Sequence, residues 1–309
     1  MAPQKTLTSR AWAELILLST IWGASFLSIR IALDEIPVLT SVTHRVGWAA
    51  LVLWLVIGVR RLPLPRKPRV WVAFLVMGLL NNVIPFSLMA WGQLHIETGL
   101  TSILNAATAI FGVIVAAIVF ADERLTLRRV IGVGLGFTGV ATAIGLSNLV
   151  DLDLRSLAQL AVLGGTISYA CAGAWARIQL SDQPPQVAAA GMLTGSALVM
   201  IPVAWVVDGP ISLDLAPRTW AAIGYYALIG TAFAYLLYYR VLAMAGSGNL
   251  LLCTLLIPPV AIVLGAIVLN EDLGPRAYAG FAILALGLLI LDRRILRARN
   301  RMPSKREPG

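Results

Sequence analysis

The polar side chains of this chain are embedded in long apolar stretches, and any chemistry has to happen there. Asn81 and Asn82 stand one turn before Pro85, Asn105 and Thr108 share a helical face, and Ser168, Tyr169 and Cys171 cluster further on. Tyr235, Tyr238 and Tyr239 occupy another stretch, and Ser19, Thr20, Trp22 and Ser25 the first. Amides and phenols of this kind form hydrogen bonds. An intramembrane hydrolase needs a nucleophile with its base, paired aspartates or metal ligands. His95-Ile96-Glu97 is not an H-E-x-x-H motif, no G-x-S-x-G elbow occurs, and no aspartate lies deep in an apolar stretch. The two histidines, His44 and His95, are too few for a histidine zinc cage, and Cys171 and Cys253 read as packing residues. The expectation is a non-enzymatic protein without cofactor or metal that binds a small molecule reversibly.

A polar group in lipid is costly unless paired, so each of these residues faces another helix or a cavity. Taken singly, each asparagine reads equally as interhelical glue or as cavity lining. Asn82 shares a face with Pro85 and is read as cavity lining. Pro85, Pro258 and Pro259 each remove a backbone donor, so their helices should kink and face the interior. Tyr238 and Tyr239, next to Arg240, read as interfacial belt residues, and Arg30 and Arg177 as snorkelling anchors. Glu14, one turn into its stretch, reads as interfacial rather than as a proton carrier. Glu123 and Glu271 sit where one stretch ends and the next begins. A structural or gating role is expected for both, on nearby backbone donors or on an arginine such as Arg128 or Arg276.

The elements that position these groups are membrane spans. Hydrophobic residues make up 59% of the 309 residues and charged ones 13%, too few charges to solvate a soluble protein of this size. Ten apolar blocks of spanning length follow one another: 11–33, 38–59, 70–92, 98–120, 127–147, 157–178, 186–207, 219–240, 246–269 and 275–293. The first is too long for a secretory signal and has no obvious cleavage site. The net charge of +9 invites a nucleic-acid reading, but its distribution favours a membrane. With the N-terminus in the cytoplasm, all but Arg30, Arg45, Arg155, Arg218 and Arg276 of the 24 lysines and arginines fall on the cytoplasmic side. Both termini are then cytoplasmic, and residues 294–309 form a basic, lipid-facing tail.

The chain is also duplicated. Glu123, Leu125, Arg128, Gly132 and Gly139 recur as Glu271, Leu273, Arg276, Gly280 and Gly287, each 148 positions later. Each copy, 1–147 and 148–293, holds five spans. Five is odd, so the second copy enters the membrane inverted, an architecture that lets two halves rock about a midplane site. The pairs Gly132 with Gly136 and Gly191 with Gly195 allow close helix approach.

Over residues 11–293 the chain resembles the EamA-type transporters of the drug/metabolite transporter superfamily. Ile21-Trp22-Gly23-Ala24-Ser25-Phe26, Asp122-Glu123-Arg124-Leu125-Thr126 with Gly132 and Gly139, and Ile257-Pro258-Pro259-Val260 with Glu271, Leu273 and Gly280 carry the resemblance. It implies an all-α protein of ten transmembrane helices in two inverted five-helix repeats. It further implies a central cavity and export of amino acids, aromatic ones among them, across a bacterial inner membrane. Trp22, Ser25, Asn81, Asn82, Asn105, Thr108, Tyr169 and Tyr235 are the candidate substrate contacts. A membrane enzyme or a facilitative channel is the alternative. The family often has a proline in span four; Ile110 and Phe111 stand there in this chain, so a straighter span four is expected.

Overall fold

The computed structural model describes residues 8–121, 123, 126–145, 153–245 and 252–291. Asp122, Arg124, Leu125, the junction of the two copies at 147/148, the start of the ninth block and the tail 294–309 lie outside the described residues. Among the described residues there is no strand. Ten helices follow the ten blocks: α1 Ser9–Ala32, α2 Val38–Arg60, α3 Pro68–Gly92, α4 Thr98–Val119, α5 Leu127–Ile144, α6 Leu154–Gln179, α7 Pro185–Val207, α8 Pro217–Met244, α9 Cys253–Leu269 and α10 Pro275–Leu291. The fold is an all-α polytopic membrane protein of two inverted five-helix repeats.

Local chemistry sets the helix starts. The Thr8 hydroxyl accepts from the Ala11 N–H and Asp153 from the Ser156 N–H, each satisfying a first-turn donor. Proline opens α3, α7, α8 and α10, where its missing N–H costs no hydrogen bond.

Packing obeys a pseudo-twofold. Helices α1 to α5 correspond to α6 to α10, and each inter-repeat contact has its counterpart. α1 packs on α8 and α9 as α6 packs on α3 and α4, while α2 meets α7 and α5 meets α10. The α5–α10 seam shows the relation residue by residue. A Cβ added at Gly132 would lie 3.0 Å from the Gly287 carbonyl, and one at Gly287 2.8 Å from the Gly132 carbonyl. A Cβ at Gly139 would lie 2.7 Å from the Gly280 carbonyl, and one at Gly280 2.6 Å from the Gly139 carbonyl. The duplicated glycines thus pack against each other crosswise, the first of one copy on the second of the other.

The prolines behave differently from the sequence expectation. α3 does not simply break at Pro85: residues Leu79–Val83, just before it, form a π-helical turn. α8 carries a π-helical segment at Tyr225–Phe233, the matching position of the second repeat, with Phe233 where α3 has proline. The π-turn is therefore a property of the repeat, and proline is not its cause in α8. The expectation of a straighter α4 is overturned. α4 is interrupted at Ala106 and Ala107, where Ala107 and Ile110 bond to carbonyls three residues back and the Thr108 hydroxyl takes the Asn105 carbonyl. Small residues and a competing hydroxyl suffice to tighten the turn. α9, which does carry Pro258 and Pro259, runs as one α-helix through both. Pro258 is buried, whereas Pro259 is exposed and does not face the interior.

Candidate functional site

The π-turns of α3 and α8 occupy corresponding places in the two repeats. A π-turn leaves carbonyls without helical partners, and here side chains of the crossing helices take them. The Ser168 hydroxyl on α6 donates to the Leu80 carbonyl at 2.7 Å, and the Trp22 indole on α1 donates to the Gly230 carbonyl at 3.2 Å. These contacts are pseudosymmetric: α6 serves α3 as α1 serves α8. Ser25 returns its hydroxyl to Ile21 and packs on Gly230, tightening the same α1–α8 crossing. Gly23 beside it leaves room for α9: a Cβ there would meet Val260 at 2.6 Å and the Ile257 carbonyl at 2.9 Å. Two sequence signatures from opposite halves are therefore one contact.

A polar network joins the α3 π-turn to α7 and α8. The Asn81 amide donates to the Tyr235 oxygen at 3.0 Å and to Asn82 Oδ1 at 3.2 Å, and the Tyr235 hydroxyl donates to Asn82 Oδ1 at 3.2 Å. Asn82 itself is fully buried, and its amide donates to Ser196 on α7 at 2.9 Å. Its hydrogen bonds are thus consumed within the protein, holding α3, α7 and α8 together, while Asn81 and Tyr235 are half-buried around it. Tyr169 packs edge-on against Phe86, ring centroids 6.5 Å apart.

Arg45 faces this network. It sits two turns inside α2 among apolar residues, with its guanidinium 3.7 Å from the centre of the Phe86 ring and its Nε donating to Thr231 at 2.9 Å. No carboxylate among the described residues pairs with it. An uncompensated guanidinium within a span is costly, and the contacts to the Phe86 ring and the Thr231 hydroxyl offset only part of that.

Comparison with known proteins identifies the family. A family model described as the EamA-like transporter family matches residues 11–145 and again 156–292. The chain belongs to the EamA-like transporter family. It is 27% identical over 296 residues, 94% of this chain and 95% of the other, to a Streptantibioticus cattleyicolor protein named "probable terminal-alkyne amino-acid exporter". It is 23% identical over 288 residues, 89% of this chain and 92% of the other, to a Salmonella typhimurium "probable amino-acid metabolite efflux pump". A crystal structure superposes with a TM-score of 0.67 at 16% identity, covering 96% of this chain and all of its own, a likeness of fold. The protein is thus a multi-pass membrane transporter.

The structure unites Asn81, Asn82 and Tyr235 in one network, and sets Tyr169 beside it through Phe86. Trp22 and Ser25 stand at the neighbouring α1–α8 crossing. Asn105 and Thr108 flank the α4 break, and the Asn105 side-chain carbonyl is enclosed without a partner. Tyr238 meets Tyr239 edge-on, ring centroids 5.2 Å apart, and its ring lies 5.9 Å from that of Trp22, so the two tyrosines extend an internal aromatic row instead of forming a surface belt. The sequence reading missed Arg45, which charge counting had placed with the loops. Its position seven residues inside an apolar block was the available signal.

Both repeated glutamates act at helix ends. Call the near end the one where α1 begins. At the far end, Glu271 accepts from the Thr98 N–H at 2.9 Å, from its hydroxyl at 2.7 Å and from the Gly99 N–H at 3.4 Å, capping the start of α4 from the opposite repeat. At the near end, Glu123 takes Arg129 at 2.5 Å and Arg177 at 3.4 Å, arginines other than those expected from sequence. Glu14 bonds Arg10 and Arg240 there. Glu35 adds a second far-end lock by accepting from Ala216 and Thr219 at the start of α8; these bonds hold its carboxyl below the usual range, so the lock is intact at neutral pH and weakens only in acid.

A carboxylate on a helix N-terminus contributes about 1–2 kcal/mol at best. Glu271→Gln should therefore raise the alkylation rate of a cysteine placed at Ser102, a fully buried site one turn below Thr98, by about 5- to 30-fold. An unchanged rate would mean that Glu271 caps α4 without closing the far end.

Proposed function

We propose that the protein exports amino acids by alternating access, with the α-carboxylate of the cargo held on Arg45. The observation that carries this reading is the guanidinium inside a span with no carboxylate partner among the described residues. A cargo carboxylate would complete the charge pair that the fold leaves open, and a charge-assisted pair in so dry a place is strong. Asn81, Tyr169 and Tyr235 offer further hydrogen-bonding groups, and the enclosed Asn105 carbonyl offers an acceptor for an ammonium. Phe86, Trp22 and Tyr169 offer aromatic surface for an apolar or aromatic side chain. Asn82 acts one layer back, orienting Asn81 and Tyr235. The inverted halves supply two pseudo-equivalent conformations, and the π-turns of α3 and α8 with the break in α4 are the places to bend.

Proteoliposome flux with a panel of labelled amino acids tests the cargo. Amino acids should compete for transport, and the same compounds with the carboxylate converted to a neutral amide should lose at least tenfold in apparent affinity. Equal competition by the amides would remove Arg45 from the cargo contact.

We further assign the near end to the cytoplasm of a bacterial inner membrane, because Arg60, Arg61, Arg66, Lys67, Arg69, Arg128 and Arg129 lie on that side. A cysteine in the 60–69 loop should resist impermeant maleimide in intact cells and react after permeabilisation; labelling in intact cells would reverse the orientation.

A further inference from the structure

A half-open cavity lies at the far end, away from the π-turns. It is a cavity of about 330 Å3 bounded by the ends of α4, α5, α6 and α10, large enough for a small ligand. Leu100, Ala143, Ile144 and Leu273 give it apolar walls, and Gln159, Arg155 and Arg276 its polar groups. Gln159 decides what this space is for. It is 1% exposed, one turn inside α6, its carbonyl oxygen is fully enclosed, and among the described residues neither of its amide atoms makes a hydrogen bond. A buried amide left unpaired costs about 1–3 kcal/mol per group, so it calls for a partner from outside the chain. Arg155 is already held by Glu97 through two hydrogen bonds of 3.1 and 2.8 Å. Arg276 is exposed and has no ion pair among the described residues.

We propose that this cavity binds a zwitterion, with its ammonium on the Gln159 carbonyl and its anionic group on Arg276. An unpaired acceptor asks for a donor and an unpaired guanidinium asks for an anion, and a ligand carrying both satisfies the two together. The apolar walls accommodate the carbon skeleton between them. Two sources present this chemistry: a free amino acid on the far side of the membrane, and the headgroup of phosphatidylethanolamine. The site shares no residue with the central network and does not depend on the cargo assigned to it. Leu273 in its wall stands two residues from Glu271, so occupancy bears directly on the far-end lock.

The test uses full-length protein carrying Arg45→Gln, to silence the central site. In phosphatidylglycerol nanodiscs, labelled phenylalanine should bind this protein with one equivalent, and adding Arg276→Gln or Gln159→Leu should weaken that binding at least tenfold. If lipid is the source, native mass spectrometry of protein from mixed-lipid nanodiscs should find one phosphatidylethanolamine retained, and lost in both added variants. Arg276 is exposed, so its replacement leaves folding intact and keeps the result readable. If neither phenylalanine nor phosphatidylethanolamine is bound in a manner sensitive to Arg276 and Gln159, the cavity holds only water and the proposal is wrong. Failure of the central reading has a separate signature: Arg45→Gln alone would leave transport unchanged.

Discussion

Arg45→Gln should abolish saturable transport while leaving the protein at least as stable as before. The two effects have opposite signs because one residue plays two parts. In the empty protein the guanidinium is a charge inside a span, leaning on Phe86 and Thr231 with no carboxylate partner among the described residues. Replacing such a charge with a shorter neutral amide removes a desolvation cost, so the melting temperature should hold or rise. In the loaded protein the same charge would hold the cargo carboxylate, and truncating one partner of a buried pair costs about 2–5 kcal/mol, roughly thirty-fold to several thousand-fold in affinity. Arg45→Lys should fall between, since an ammonium keeps the charge but loses the planar fork and its stacking on Phe86. A purely structural arginine would give the reverse pattern: reduced stability in Arg45→Gln, with normal affinity in whatever protein remains folded.

The architecture was legible because it is written in features with long range and low ambiguity. Ten apolar blocks of spanning length, the basic asymmetry and a repeated Glu and Arg signature suffice for ten helices in inverted halves. The site was legible only where residue type alone carries information. Asn81, Asn82 and Tyr235 stood out as polar groups in apolar spans, but their division of labour did not. Whether an amide is consumed by a neighbouring helix, as Asn82 is by Ser196, depends on which helices meet, and a single sequence does not state that. The same limit explains the prolines. Pro85, Pro258 and Pro259 announce a missing donor, yet α9 stays helical through two of them while α4 breaks at alanines. Arg45 was hidden by the rule that revealed the topology, because counting basic residues by side treats a charge near a block's end as a loop charge.

Gly139→Val and Gly280→Val should each destabilise the folded protein more than substitution at any of its open glycines. The two residues face each other across the α5–α10 seam, where the backbones touch without side chains between them. A Cβ on Gly139 would lie 2.7 Å from the Gly280 carbonyl and 2.8 Å from the Leu284 Cα, and one on Gly280 would lie 2.5 Å from the Ala143 N and 2.6 Å from its Cβ. Most of these neighbours are backbone, so no side chain can swing aside and the helices must separate. Overpacking of this kind costs about 1–3 kcal/mol for a small group, and separating the helices forfeits in addition the close contact that drives association in lipid. Gly112→Val in α4 is the control, since a Cβ there meets nothing within 4 Å. Thermal unfolding in detergent should separate the variants, with both seam substitutions lowering the midpoint and the control leaving it nearly unchanged. Because the seam lies on the pseudo-twofold, the two substitutions strike one contact from its two sides. The double variant should therefore be less destabilised than the sum of the singles, as expected for residues in direct contact. Full additivity would mean that Gly139 and Gly280 pack independently, and that the crosswise relation of the duplicated glycines does not organise the seam.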